Sequence, residues 1–173
     1  MEGQVGAAAP VAEAAGPADA PGRSPAGGIL LRLGGCRYAV GMDEVAEVVA
    51  LPTVTRVPGT PPWLAGVANW RGRMLPVLDV RSLLGAATTP LATSARLLVV
   101  QDGEVTAGLV AEAVPGVYDV PLDSLDPAPP TLSAQATRLV RGQVADPLGP
   151  IGVLDVQALL GLRDQLDRRR HGS

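Results

Sequence analysis

The side chains best suited to specific recognition in this 173-residue chain lie in one short stretch, Asn69-Trp70-Arg71-Gly72, a turn set between apolar runs at 64–68 and 74–78 that read as strands. A guanidinium offers a rigid fork of donors, and an indole offers a broad apolar face with one donor. These are the two side chains that most often anchor interfaces, so the chemistry implied is binding. Bond-making chemistry lacks its parts. The patterns GxSxG, GxxxxGK[ST] and GxGxxG are absent, and the single histidine, His171, stands where no neighbouring element would hold it as a base. Carboxylate pairs at Asp43-Glu44 and at Asp123 and Asp126 read as turn and cap residues, and Asp79 and Asp155 as helix caps. Cys36 is the only cysteine and has Arg37 as its one basic neighbour, which rules out an intrachain disulfide and a Cys/His metal site. No enzymatic activity, cofactor or metal is expected.

Those side chains must be carried by a mostly aliphatic core. The chain is 47% hydrophobic with no Phe, two Trp and two Tyr, so Val, Leu, Ile and Ala supply the buried surface. A mean hydropathy of +0.25 with 18% charged residues suggests aliphatic surface left over for partners. Net charge −3 and pI about 5.1 argue against nucleic-acid binding, and four aromatics are too few for base stacking. The start lacks the basic opening and unbroken apolar stretch of a signal peptide. No run approaches the roughly 18 apolar residues of a membrane span, so a cytoplasmic location without direct membrane insertion is expected.

Residues 1–28, rich in Ala, Gly and Pro, are expected to form a disordered tail. From Ile29 the texture is β-like: runs at 29–33 and 38–41 form a hairpin across Gly34-Gly35, and a strand at 45–49 places Val45 and Val49 on one face with Glu47 between them. Pro61-Pro62-Trp63-Leu64 suits one helical turn. After the central hairpin, Asp79 caps a short helix over 80–84 that Gly85 ends. A second β-rich half follows, with strands at 97–100, 105–110 and 117–120, a Pro-rich crossing at 122–135, and a run at 139–145 paired with 151–154. An amphipathic helix from Asp155, apolar at Val156, Leu159, Leu160 and Leu166, runs into a basic end at 167–173.

The second half repeats the first. Pro76-Val77-Leu78-Asp79-Val80-Arg81-Ser82-Leu83-Leu84-Gly85 recurs as Gly152-Val153-Leu154-Asp155-Val156-Gln157-Ala158-Leu159-Leu160-Gly161, and the same offset carries Gly66 onto Gly142. Two similar β units, about 29–92 and 93–161 and intertwined, are therefore expected. Strands this short with turns this frequent favour small closed barrels, which remove exposed edges, and two such units would pack on each other. The offset sets Asn69-Trp70-Arg71-Gly72 against Ala145-Asp146-Pro147-Leu148, so reversing the chain there requires neither Trp nor Arg.

These residues resemble the CheW family of chemotaxis coupling proteins over about residues 29–162. The resemblance is carried by Arg37-Tyr38-Ala39-Val40, Val45-Ala46-Glu47-Val48, Val57-Pro58, Leu64-Ala65-Gly66-Val67-Ala68-Asn69-Trp70-Arg71-Gly72, Leu75-Pro76-Val77-Leu78-Asp79, Pro127-Ala128-Pro129 and Val153-Leu154-Asp155-Val156, in that order. It implies an all-β fold of two packed five-stranded SH3-like barrels with short helices, the domain spanning 29–166. It also implies a non-catalytic adaptor linking the cytoplasmic tips of methyl-accepting chemoreceptors to the regulatory domain of a CheA-type histidine kinase, at membrane-associated receptor arrays. The family's contact residues fall on Arg71 and Glu47, with Asn69, Trp70 and Gly72 in the turn and Val45 and Gly66 beside it. Glu112 stands where the family often has Asp, and Trp70 where a smaller Leu is common. The alternative reading is a β-barrel module that binds a peptide or small molecule in another signalling system.

Overall fold

The computed structural model describes residues 27–119 and 121–171, with side chains to 169. The expected tail up to residue 26, Val120 at the end of one expected strand, and the last two residues lie outside it. Among the described residues ten strands form two five-stranded sheets. β1 (Gly27–Leu33), β2 (Cys36–Gly41), β8 (Ala113–Asp119), β9 (Val140–Val144) and β10 (Ile151–Leu154) make the first, in the order β8-β1-β2-β10-β9. β3 (Val45–Ala50), β4 (Leu64–Trp70), β5 (Arg73–Leu78), β6 (Arg96–Asp102) and β7 (Val105–Ala111) make the second, in the order β3-β6-β7-β5-β4. Each sheet curls into a small SH3-like barrel. Its seam is closed where the segment after one edge strand bonds to the other edge strand: Thr55 exchanges two 2.8 Å bonds with Val67, and Asp126 exchanges two 2.9 Å bonds with Gln143.

The repeat is present in the backbone register. β4 pairs with β5 at Leu64↔Leu78, Gly66↔Val77, Val67↔Pro76 and Ala68↔Leu75, and β9 pairs with β10 at the positions 76 residues on, Val140↔Leu154, Gly142↔Val153, Gln143↔Gly152 and Val144↔Ile151. Asp79 N–H donates to the Trp63 carbonyl and Asp155 N–H to the Leu139 carbonyl, each at 2.8 Å and again 76 apart. The two repeats exchange their opening hairpins: β1 and β2 join the first barrel with β8, β9 and β10, and β6 and β7 join the second with β3, β4 and β5. A cut near 92/93 therefore separates the repeats and not the barrels. The main core lies between the barrels, where Leu31 and Val40 of the first meet Leu78, Leu98 and Leu109 of the second.

Local departures from expectation have physical causes. A bulge between Val45 and Glu47 inserts Ala46, which reverses the alternation: Val45 and Val48 pack on the inter-barrel core while Val49 packs on the other face. Residues 80–84 make a single turn, with Leu84 N–H bonded to the Val80 carbonyl at 3.0 Å, because Gly85 at φ 85° ends it before a second turn can form. The Pro-rich crossing ends in a helix, α1 (Ala134–Leu139), so the following strand begins at Val140 and not at Leu139. Ser133 caps α1 by accepting from Ala136 N–H at 3.0 Å. α2 (Val156–His171) starts where Asp155 accepts from Ala158 N–H at 3.1 Å, buries Val156, Leu159 and Leu160, and packs on β6 and β7.

Candidate functional site

Strand pairing leaves β4 and β5 joined by two residues only, since Asn69 opposes Met74 and Trp70 opposes Arg73. The expected four-residue turn is thus Arg71-Gly72 alone, with Asn69 and Trp70 in the strand. Both turn residues have positive φ, 52° and 77°, the combination that a two-residue hairpin turn with the right twist requires. Gly72 adopts it freely. Arg71 is the one described non-glycine residue there, at a cost of about 1–3 kcal/mol. Asn69 Oδ1 steadies the loop by accepting from Gly72 N–H at 3.2 Å.

The offsetting contacts converge on Glu47. Its Oε1 accepts from Trp70 Nε1 at 2.9 Å, from Arg71 Nε at 3.1 Å and from Arg71 Nη2 at 3.0 Å. The guanidinium also lies over the indole, 5.3 Å from the ring centroid. The Trp70 donor first, and then Arg71, hold the Glu47 carboxyl below its ordinary value. Because the folded pKa is the lower one, this clasp contributes in full above the ordinary carboxylate pKa and is lost as pH falls through the depressed value. The Trp70 indole N–H resonance is expected to titrate with a midpoint below 4.5. A midpoint at or above that value would show that the clasp does not form in solution.

The other repeat supplies a comparison. Its hairpin stops pairing two residue pairs earlier, at Val144↔Ile151, and Asp146 occupies the position of Trp70. Asp146 accepts from the Tyr118 hydroxyl, from Arg37 Nη2 at 2.8 Å and from Leu148 N–H at 3.1 Å, while Arg37 also donates to the Gly149 carbonyl at 2.6 Å. Each barrel is therefore fastened between its edge strands by a polar clasp at the same hairpin, through Tyr118 and Asp146 in the first, where Arg37 joins from the central strand β2, and through Glu47, Trp70 and Arg71 in the second. They differ in exposure: 16% for Arg37 and 6% for Asp146, against 69% for Arg71 and 33% for Glu47. One clasp is turned into the protein, and the other presents its cation outward.

Of the seven residues singled out from the sequence, five form this tip: Glu47, Asn69, Trp70, Arg71 and Gly72. Val45 is half-buried against the inter-barrel core. Gly66 meets the backbone of the 51–57 segment, since a Cβ there would lie 2.2 Å from the Thr55 carbonyl oxygen. Beside the tip, an open cleft of about 600 Å³ is lined by Val57, Pro61, Leu64, Met74, Pro76 and Leu166, among others. Met74 is 65% exposed. Sequence reasoning missed the clasp at Arg37, Tyr118 and Asp146, although the offset of the repeat marked Asp146. It also missed Arg81, 1% exposed and clamped by Asp79 at 2.8 and 3.0 Å and by Glu112 at 3.0 Å. Among the described residues no group of three or more His, Cys, Asp or Glu could hold a metal, and no helix is long and apolar enough to cross a membrane.

The sequence profile of the CheW-like domain matches residues 27–164. The chain belongs to the CheW-like domain family. Among similar proteins, Protein PilI of Pseudomonas aeruginosa is 39% identical over 115 residues, covering 66% of this chain and 65% of PilI. Chemotaxis protein CheW of Klebsiella aerogenes is 26% identical over 137 residues, covering 76% and 80%. The crystal structure of the scaffolding protein TtCheW from Thermoanaerobacter tengcongensis superposes with a TM-score of 0.67 at 26% identity, covering 75% of this chain and 84% of that one. The double-barrel architecture of this CheW-like chain is accordingly that of the scaffolding protein TtCheW.

Proposed function

We propose that this CheW-like protein is a non-catalytic adaptor that couples chemoreceptors to a CheA-type histidine kinase, with residues 29–166 as its working unit and the β4–β5 tip as its receptor- and kinase-binding site. Supporting this reading is the contrast between the two clasps: the hairpin of one barrel is held by a half-buried Arg37–Asp146 ion pair, while that of the other carries an exposed Arg71 where the repeat has Pro147. A cation held at positive φ by Glu47 and Trp70 has already lost much of its conformational freedom, so a partner that binds it has less ordering left to offset.

Arg71 and Glu47 form the polar centre, Trp70 adds apolar area, and Asn69 and Gly72 hold the shape of the turn. Val45 and Gly66 act from behind, by packing and by close backbone approach. An exposed ion pair is worth only about 0–1 kcal/mol, so most of the affinity has to come from apolar surface beside the tip, including the cleft at Met74. The partners are the cytoplasmic tip of a methyl-accepting receptor and the regulatory domain of the kinase, at receptor arrays on the cytoplasmic side of the membrane.

Arg71→Glu reverses the charge and sets two carboxylates side by side. With folding verified by circular dichroism, binding to a purified receptor cytoplasmic fragment is expected to weaken about tenfold or more. Unchanged binding to both receptor fragment and kinase regulatory domain would remove Arg71 from the site.

A further inference from the structure

We infer that Glu112 is a latch that fixes the angle between the two barrels. β7 of the second barrel ends at Ala111 and β8 of the first begins at Ala113, so at this crossing Glu112 is the single residue between the sheets, whereas the other crossing, from β2 to β3, runs through the three residues Met42–Glu44. A one-residue crossing between rigid bodies is a natural pivot, because only a few dihedrals need change for the bodies to rotate. Here the pivot is held on every side. Its N–H donates to the Arg32 carbonyl at 2.9 Å and its Oε1 accepts from Gly35 N–H at 3.2 Å, both in the first barrel's opening hairpin. Its Oε2 accepts from Arg81 Nη1 at 3.0 Å and its carbonyl from Ser94 Oγ at 3.1 Å, both on the connection between β5 and β6 of the second barrel.

Arg81 is itself fixed. At 1% exposure it gives Nε and Nη2 to Asp79 and a further bond from Nη1 to the Thr89 carbonyl at 3.0 Å, so the carboxylate is tied to a group that cannot yield. The aliphatic core between the barrels holds them together, but apolar contact is non-directional and tolerates rotation. The bonds at Glu112 are directional and restrain the angle at the crossing, and α2 adds bonds from Gln157 to Asp102 at 3.3 Å and from Arg163 to the Thr106 carbonyl at 3.0 Å. Both hairpin tips ride on that angle, so the latch sets how the surfaces of the two barrels face any partner that touches both. The inference rests on this geometry alone and holds whichever partner the protein serves.

Spin labels on Val105→Cys in the second barrel and Leu148→Cys in the first, 38% and 84% exposed, report the inter-barrel distance in the full chain once Cys36→Ser removes the native thiol. Labels on Val105→Cys and Met74→Cys report the second barrel alone. Glu112→Gln keeps the side chain's size but must turn its amide NH2 toward either Gly35 N–H or Arg81, a donor facing a donor. The inter-barrel distance distribution is expected to widen about twofold in Glu112→Gln, and further in Glu112→Ala, while the distribution within the second barrel stays unchanged. Wild-type width across the barrels in folded Glu112→Gln would overturn the latch. So would equal widening of both pairs, which would mark a general loosening.

Discussion

Gly66→Ala is expected to lower stability by about 3–5 kcal/mol, read as a shift in the urea midpoint, from a strained φ of roughly 1–3 kcal/mol and two backbone hydrogen bonds of roughly 1 kcal/mol each. A Cβ at Gly66 would stand 2.2 Å from the Thr55 carbonyl oxygen and 2.7 Å from its carbon, and the glycine already sits at φ 149°. Backbone cannot move aside as a flexible side chain can. Opening that contact breaks both 2.8 Å bonds between Thr55 and Val67, which close the second barrel's seam. Total stability of a domain is about 5–15 kcal/mol, so the loss is a large share of it. Gly142→Ala is the matched comparison: its Cβ would lie 2.5 Å from the Asp126 carbonyl oxygen at the equivalent seam, without a positive φ, and a smaller loss is expected. A Gly66→Ala protein with a wild-type midpoint but lost partner binding would instead make Gly66 a contact residue.

Arg81→Met is expected to cost a similar amount, about 3–5 kcal/mol, because removing one partner of a buried ion pair leaves its counter-charges uncompensated. Asp79 and Glu112 would then face each other across a space with no cation, and the Thr89 carbonyl would lose its donor. Methionine fills much of the same volume, which separates the electrostatic loss from a cavity. Adding Asp79→Asn and Glu112→Gln to Arg81→Met is expected to recover part of the urea midpoint, since an uncharged buried cluster no longer requires the guanidinium. A loss below about 1 kcal/mol in the single variant would mean that water reaches the carboxylates and screens them as at a surface.

Much of the fold was legible because its signals are local. Gly34 and Gly35 have φ 60° and 80°, the values that a two-residue hairpin turn needs, and the strands cover the apolar runs on either side, each starting two residues earlier than expected: β1 at Gly27, within the expected tail, and β2 at Cys36. The recurrence of residues 76–85 at 152–161 reported the internal symmetry before any strand was paired. The errors were also local in origin. One inserted residue, Ala46, turned Val45 and Val49 to opposite faces, because alternation carries no record of a bulge. Ser133 held a cap signal inside a Pro-rich run whose composition read as an unbroken crossing. For the candidate site, residue types at the β4–β5 turn marked four of its members, and the resemblance to a known family implied the fifth, Glu47.

By itself the sequence determined the aliphatic β character of this chain, its two repeats, and the hairpin that carries Trp70 and Arg71, since side-chain period, turn chemistry and self-similarity are properties of neighbouring residues. Only the tertiary structure decided which hairpin joins which barrel, that Arg37 reaches Asp146 across 109 positions, and that one clasp is half-buried while its counterpart is exposed. It also decided that Glu112 is the shorter of the two crossings between the sheets and Arg81 its buried counter-ion. The physical reason is that burial and pairing depend on which distant segments arrive at the same place. A charged side chain looks alike in sequence whether water or a carboxylate surrounds it.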